Sequence, residues 1–241
     1  MLKVAIIGTG LVGFNLLEKI MKSKVLECVM FAGQREDSPG IARAKLLGIP
    51  TSTKSIQAIP QEAKIVFDCT TAKSHIDNEP FFDYMDKFII DLTPSRIGKM
   101  CIPAINLKEC LKEHEVSLVT CGAQAMCPVA KKIMDKHPEI EYMELVSTIA
   151  SSSAGLGTRN NIDEFTQTTA DALVEISGVS RAKAIIIINP AEIEMRNTLT
   201  YILNGKRESI TKMVKTEGGL PGNLELINRA AIAMGEAYAK N

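Results

Sequence analysis

The sequence predicts an α/β protein: a doubly wound parallel sheet in its first half, then a smaller mixed α/β region. Three observations carry this expectation. Short apolar runs alternate with helical spacing from residue 1 to about residue 122, as right-handed βαβ units require. The first apolar run leads straight into a glycine-rich turn and a helical pattern. Beyond the helix expected at 125–136 the texture changes to longer strands and a Gly/Ser-rich loop.

In chain order, residues 2–7 are apolar apart from Lys3, as in a strand buried on both faces. Helical spacing follows at Phe14, Leu17, Ile20 and Met21. A strand fits 27–32 and a helix 40–47; strands at 64–68 and 87–91 flank a helical stretch at 75–85. Residues 107–112 read as a short helix and 116–120 as another strand. The second region reads as a strand at 140–149, a loop at 151–161 and a helix at 162–176. Strands at 183–188 and 195–203 follow, then a helix at 208–214. Gly218 to Gly222 break the chain before a last helix from Asn223 to about Ala239. The expected domains are therefore residues 1–122, 123–217, and a C-terminal helix at 218–241 that returns to the first domain.

Composition excludes several classes. The 241 residues carry 28 basic and 28 acidic side chains, so no global steering of nucleic acid is expected. Aromatic residues make up 5% and tryptophan is absent, which argues against base-stacking platforms. Six cysteines occur without a C-x-x-C pair, so no metal clip is expected, and several lie in apolar runs as free thiols do. No apolar run is long enough to span a bilayer and no leader pattern precedes the first strand, which points to a cytoplasmic protein.

Gly8-Thr9-Gly10-Leu11-Val12-Gly13 matches a dinucleotide fingerprint in its proper place, after a buried strand and before a helix. Gly8 permits the turn, Gly10 lets backbone approach a pyrophosphate, and Gly13 allows close helix–strand packing. Without a ligand the same residues make a glycine-rich strand–helix turn. At the end of the second strand the chain reads Gly33-Gln34-Arg35-Glu36-Asp37. Arg35 suits the 2′-phosphate of NADP, Glu36 or Asp37 suits the ribose of NAD, and a solvated Arg35 suits neither.

Cys121 lies between an expected strand end and a helix start, where unpaired amides favour thiolate. It is the candidate nucleophile; a small buried residue is the alternative. Cys28 and Cys69 read as core, Cys101 and Cys110 as loop and helix residues, and Cys127 as helix packing.

At this point the sequence resembles the acylating acetaldehyde dehydrogenases that work beside 4-hydroxy-2-oxovalerate aldolases. The residues that carry the resemblance include Val4 to Gly10, Val66-Phe67-Asp68, Asp91-Leu92-Thr93-Pro94, Val119 to Ala125, Ser153 to Arg159, Asn161 to Thr166 and Ile186 to Glu192. They run over residues 1–203, with a rejoining match at Gly222-Asn223-Leu224. The resemblance implies a Rossmann domain plus a substrate domain of the glyceraldehyde-phosphate and semialdehyde dehydrogenase type. It implies that Cys121 forms an acyl thioester, that NAD or NADP accepts hydride, and that coenzyme A takes the acyl group. It places cofactor contacts on the glycine turn, Asn223 and the loop of Ser151, Ser152, Ser153, Ala154, Gly155, Gly157, Thr158, Arg159 and Asn161; Thr70, in the loop at the carboxyl end of the strand at 64–68, is a further candidate from its position. A homo-oligomer, dimer or tetramer, and an aldolase partner follow from it as well.

Three departures stand out. The family's acid/base aspartate is Asn197 here, which hydrogen-bonds but exchanges no proton at neutral pH. The ribose aspartate position reads Arg35, and several dozen family residues are missing between Leu203 and Gly222. Among other polar groups, His75 follows a strand-end loop and is a candidate cofactor wall, while His114 and His137 read as surface residues. Arg159 suits an anionic substrate group or a structural ion pair; Asp163 and Glu164 compensate a helix dipole. The expected function is interconversion of a small aldehyde with an activated acyl group through a Cys121 thioester. The rivals are a Rossmann dehydrogenase acting on a hydroxy or amino acid without a thioester, and a non-catalytic nucleotide-binding relative.

Overall fold

The computed structural model describes residues 1–241, the side chain of Leu156 excepted. They form two compact units, Met1–Leu118 with Asn228–Asn241, and Val119–Ile227.

The first unit is an all-parallel sheet of seven strands, β1 (Leu2–Ile7), β2 (Leu26–Ala32), β3 (Thr51–Ser52), β4 (Ile65–Asp68), β5 (Phe88–Asp91), β6 (Lys99–Met100) and β7 (Glu115–Ser117), in the order β3-β2-β1-β4-β5-β7-β6. Helices α1 (Leu11–Ile20), α2 (Pro39–Leu46), α3 (Ala72–Phe82) and α4 (Pro103–Cys110) make four of the crossovers, and a 3₁₀ turn at Ser55–Ala58 lies between β3 and β4. The chain starts inside the sheet at β1, winds outward to β3, and returns to β4 beside β1. The winding reverses there, and in open α/β sheets ligands collect at the carboxyl ends beside such a reversal. Val4 to Ile7, Ile65 to Phe67 and Ile89 to Ile90 are wholly buried, which explains their unbroken apolar runs. The segment Asn228–Asn241, the end of the last helix α8 (Gly222–Tyr238), joins this core. Tyr238 stacks on Phe88 at 4.4 Å, and Ser23 Oγ donates to Glu236 at 2.7 Å.

The second unit is a mixed sheet of β8 (Tyr142–Ala150), β9 (Arg181–Asn189), β10 (Met195–Leu203) and β11 (Lys206–Val214), in the order β11-β10-β8-β9. Alternation sets its inner face: Met143, Leu145, Ser147 and Ile149 of β8 are buried beside Met195, Asn197 and Leu199 of β10. Helices α5 (Cys121–Met134) and α7 (Ile162–Ala172), with a π-helical turn at Leu173–Ser177, pack on that face. The short helix α6 (Leu156–Asn160) precedes α7.

The α/β architecture agrees with the sequence expectation; several details differ. Residues 208–214 form a strand, not a helix, because Asn204 (φ +51°) and Gly205 (φ +73°) make a tight hairpin turn that pairs all of β11 with β10. The edge strands β3 and β6 carry too few residues for a readable pattern. The 151–161 loop contains a 3₁₀ turn at Ser151–Ser153 and the helix α6. Among the described residues no helix is long and apolar enough to cross a membrane.

Candidate active site

In the first unit the glycine turn joins β1 to α1, with Gly10 at the position before the first helical residue. Gly8 has φ +96°, and a Cβ there would lie 2.3 Å from the Cys69 carbonyl carbon and 2.7 Å from Thr70 N. Gly13 is equally confined, since its Cβ would sit 1.9 Å from Gly8 O. At Gly10 a Cβ would meet nothing within 4 Å. Two glycines are thus spent on close packing and one opens the backbone toward empty space at the start of α1, where free amides attract an anion. Thr9 closes the far side: its hydroxyl bonds Ser38 Oγ at 2.8 Å, ahead of α2. Leu11 and Val12 are the first residues of α1.

Arg35 lies on the exposed loop after β2 and grips Asp37 with two bonds, Nε–Oδ1 at 3.0 Å and Nη2–Oδ2 at 2.8 Å. The hydrogen bond and charge of Asp37 raise the guanidinium pKa further, and those of Arg35 lower the pKa of Asp37. A 2′-phosphate there competes with Asp37 for the same fork. Glu36 is paired to Lys45 of α2.

On the other side of the reversal, Thr70 gives both its amide (2.8 Å) and its hydroxyl (2.5 Å) to Asp68 Oδ1. His75 is not the cofactor wall the sequence suggested. It is fully buried between Asp68 Oδ2 (2.8 Å from Nδ1) and Glu115 Oε1 (2.7 Å from Nε2), with Asp91 Oδ1 at 3.5 Å. Burial acts to lower its pKa. The hydrogen bonds to Asp68 and Glu115 and the charges of Asp91 and Asp68 outweigh it and raise the imidazole to about 11. Burial, with the charge of Asp68, raises Asp91 to about 7, against the pull of His75 and the bonds from Ser95 and Thr93.

In the second unit α5 begins at Cys121, and Thr120 caps it by accepting the Ala123 amide at 3.1 Å. Thr120 Oγ1 also pairs with Thr169 Oγ1 of α7 at 2.7 Å. The residue before the cap, Val119, sits at φ +54°, a strained conformation for a β-branched side chain. Gly122 is tight against β8, since a Cβ there would come 2.7 Å from Ser147 Oγ. Ser147 donates to Asn197 Oδ1 at 2.8 Å, and Asn197 Nδ2 points to Lys212 O at 3.5 Å. Asn197 is therefore held behind the start of α5 by Ser147 and has no hydrogen bond to Cys121. Ser147 escaped the sequence reading because a serine in a strand carries no motif; its alternation with Leu145 and Ile149 was the available signal.

The thiol differs from expectation in its charge. Burial pushes Cys121 up to about 12, and the amides of Gly122 and Cys121, which pull it down, do not offset this. The helix start contributes the expected attraction, but the thiol of a residue only 8% exposed loses more by desolvation.

The segment 151–161 is tied to itself. Arg159 donates to Ala154 O (3.0 Å), Ser151 O (2.8 Å) and Ser151 Oγ (2.6 Å), so its guanidinium folds the loop in place of the ion pair considered above. Ser152 Oγ donates to Glu192, Ser153 Oγ to Ala150 O, and Asn161 Nδ2 to Gly157 O. Asn223 reaches the same loop through Ser153 O at 3.3 Å, so these expected contacts do converge. Gly155 precedes α6 and Thr158 lies within it.

A family model described as the dimerisation domain of prokaryotic acetaldehyde dehydrogenase matches residues 121–218, starting at Cys121 itself. An acetaldehyde dehydrogenase of Spirochaeta aurantia is 41% identical over 282 aligned positions, covering 99% of this chain and 95% of the relative. One from Thermomicrobium roseum is 47% identical over 211 positions, covering 86% of this chain and 68% of its own. Among solved structures, aspartate semialdehyde dehydrogenase with NADP from Candida albicans superposes with a TM-score of 0.66 at 11% identity, over 86% of this chain and 72% of that one. The Vibrio cholerae enzyme gives 0.61 at 12%, over 83% and 74%. At such identities the structural likeness speaks for the fold alone. With sequence identity this high along nearly the whole length, the chain belongs to the acetaldehyde dehydrogenase family.

Proposed function

We propose that the protein interconverts a small aldehyde and an acyl-CoA with NAD or NADP, through a thioester on Cys121. The observation that carries this reading is the start of α5: Thr120 caps it, Cys121 opens it, and Gly122 is pressed on Ser147. The first unit fits a dinucleotide, since Gly10 leaves open space beside the first amides of α1 while Gly8 and Gly13 close the turn behind it. The nicotinamide, when bound, supplies the hydride acceptor for the oxidation at the aldehyde carbon. Cys121 Sγ bonds to that carbon after giving up its proton, and the thiol of coenzyme A later displaces the acyl group and regenerates the Cys121 thiol. Backbone amides at the start of α5 stabilise negative charge on sulfur. Asn197 keeps the wall behind α5 in register and takes no proton. The Ser151–Asn161 loop and Asn223 form a second set of candidate cofactor contacts. Arg35 favours NADP only if the 2′-phosphate displaces Asp37.

The description of the matched family model supports a homo-oligomer built through the second unit. The resemblance also extends the reading to an aldolase that delivers the aldehyde.

The test is mass spectrometry of the protein incubated with acetyl-CoA. An acetyl adduct on Cys121, absent from Cys121→Ala, is expected, together with loss of turnover in that variant. Full turnover by Cys121→Ala removes the thioester reading. Asn197 in place of an acid/base group and the protonated thiol favour one rival, a dinucleotide-binding relative without acylating turnover. That rival gains if dinucleotide binds but no adduct and no turnover are found.

A further inference from the structure

We propose that His75 is a positioning residue for the dinucleotide: set among Asp68, Asp91 and Glu115, it holds the loop that follows β4 against the glycine turn. The inference rests on the reading that this turn binds a dinucleotide.

Four ionisable side chains from four elements meet here, on β4, α3, β5 and β7, and the imidazole is at their centre. A buried histidine needs one or two acceptors; three carboxylates around one ring are a costly arrangement that apolar residues of similar volume would replace without loss of packing. What the cluster gains is reach. Asp68 takes the ring with Oδ2, and its Oδ1 takes Thr70 N at 2.8 Å and Thr70 Oγ1 at 2.5 Å. Asp91, 3.5 Å from the ring, clamps the loop after the next strand with both oxygens: Oδ1 accepts the Thr93 amide and Oδ2 the Ser95 hydroxyl, both at 2.6 Å. The register pairs Asp68 with Asp91, so the two clamps lie side by side at the carboxyl edge.

The first clamped loop is the one the glycine turn leans on. The Cβ position of Gly8 is 2.3 Å from the Cys69 carbonyl carbon and 2.7 Å from Thr70 N, and that of Gly13 is 3.3 Å from Cys69 Cβ. With no slack between turn and loop, a small movement of residues 69–71 moves the backbone that faces the ligand. Phe82, 5.3 Å from the ring, walls the cluster from below. His75 touches no ligand itself; by taking Asp68 Oδ2 it fixes the carboxylate whose Oδ1 holds the Thr70 loop.

Titration of the full chain with NADH, followed by nicotinamide fluorescence, tests this. For His75→Gln the expected result is an NADH affinity weakened about tenfold, the loss typical of a buried charge-assisted bond. The KM for acyl-CoA should stay within about twofold, and kcat should change less than the dinucleotide KM. A merely structural histidine would lower the melting temperature and the fraction of sites occupied while leaving the dissociation constant of the folded fraction alone, and that outcome overturns the proposal. Asp68→Asn, which keeps the shape of the clamp on Thr70, is the companion variant should His75→Gln fail to fold. It is expected to weaken NADH in the same direction, and an affinity within about twofold of wild type overturns the idea equally. Wild-type protein that binds neither NADH nor NADPH would instead remove the dinucleotide reading on which the inference rests.

Discussion

Cys121 shows how two effects at one residue are weighed. The partial charge at a helix start is worth about 0.3–1 kcal/mol at an exposed site, whereas full burial of an ionisable group shifts its pKa by units. With the thiol pushed up to about 12, alkylation by iodoacetamide should be slow at pH 7 and rise about tenfold per unit between pH 8 and 10, read by peptide mapping of Cys121. A rate already saturated at pH 7 would show that the thiolate is present at rest. Cys28 and Cys127 are raised to about 12 in the same way, from an ordinary value of 9.0, so folding keeps their protons on. Their contribution to stability is full below pH 9 and is lost as pH climbs toward 12, so the melting temperature should hold to about pH 8.5 and then fall. Asn197 allows a sharper experiment. In Asn197→Asp the donor to Lys212 O is lost and a carboxylate is buried beside Ser147, at a cost of about 1–3 kcal/mol near pH 7. Burial raises that carboxyl's folded pKa, so its protonated form is the tolerated one. The melting deficit should shrink at pH 5, and a deficit independent of pH would mean that the carboxylate finds compensation there.

The elements that the sequence disclosed are those whose local pattern and tertiary role agree. β1, β4 and β5 are apolar because both faces are covered, and the glycine turn is readable because each glycine has its own reason. Those reasons separate by experiment. Gly8→Ala must adopt φ +96° and overlap the Cys69 carbonyl, which should cost about 3 kcal/mol and show in urea unfolding. Gly10→Ala meets nothing, so its stability should stay within about 1 kcal/mol of wild type while dinucleotide affinity falls. Equal destabilisation by both would deny the turn its open side. β11 was misread because Ile210, Met213 and Val214 fall at helical spacing in a Lys- and Glu-containing stretch. The decisive cue was Asn204-Gly205, the strongest short signal for a hairpin, and pairing with β10 overrides propensity. The cluster around His75 was invisible for another reason. Its acids lie 7, 16 and 40 residues from the ring in sequence, and only the parallel register brings them together.

At the scale of the whole molecule the question is what covers the outer face of the second unit's sheet. The alignment to the Spirochaeta relative runs over 282 positions and this chain has 241 residues, so at least 41 positions of the relative have no counterpart here. The four strands that remain all lie within the match to the dimerisation model. Their inner face is filled by α5 and α7, but the outer one carries apolar side chains in the open: Ile187 is 44% exposed, Met213 49% and Ile202 60%. Register puts the first two on one side of the sheet, since Thr148 pairs with both Ile187 and Arg196, and Arg196 with Met213. A twofold interface repeats each contact, so a single substitution on the face is present twice in a dimer. Sedimentation should therefore give a particle of at least twice the 26.2 kDa chain for the wild type. Ile187→Asp should bring it down to 26.2 kDa with an unchanged far-UV spectrum, because the side chain contributes little to the folding of its own chain. A wild type that sediments as a single chain, or a variant that stays assembled, would mean that this face is not where copies of the chain meet.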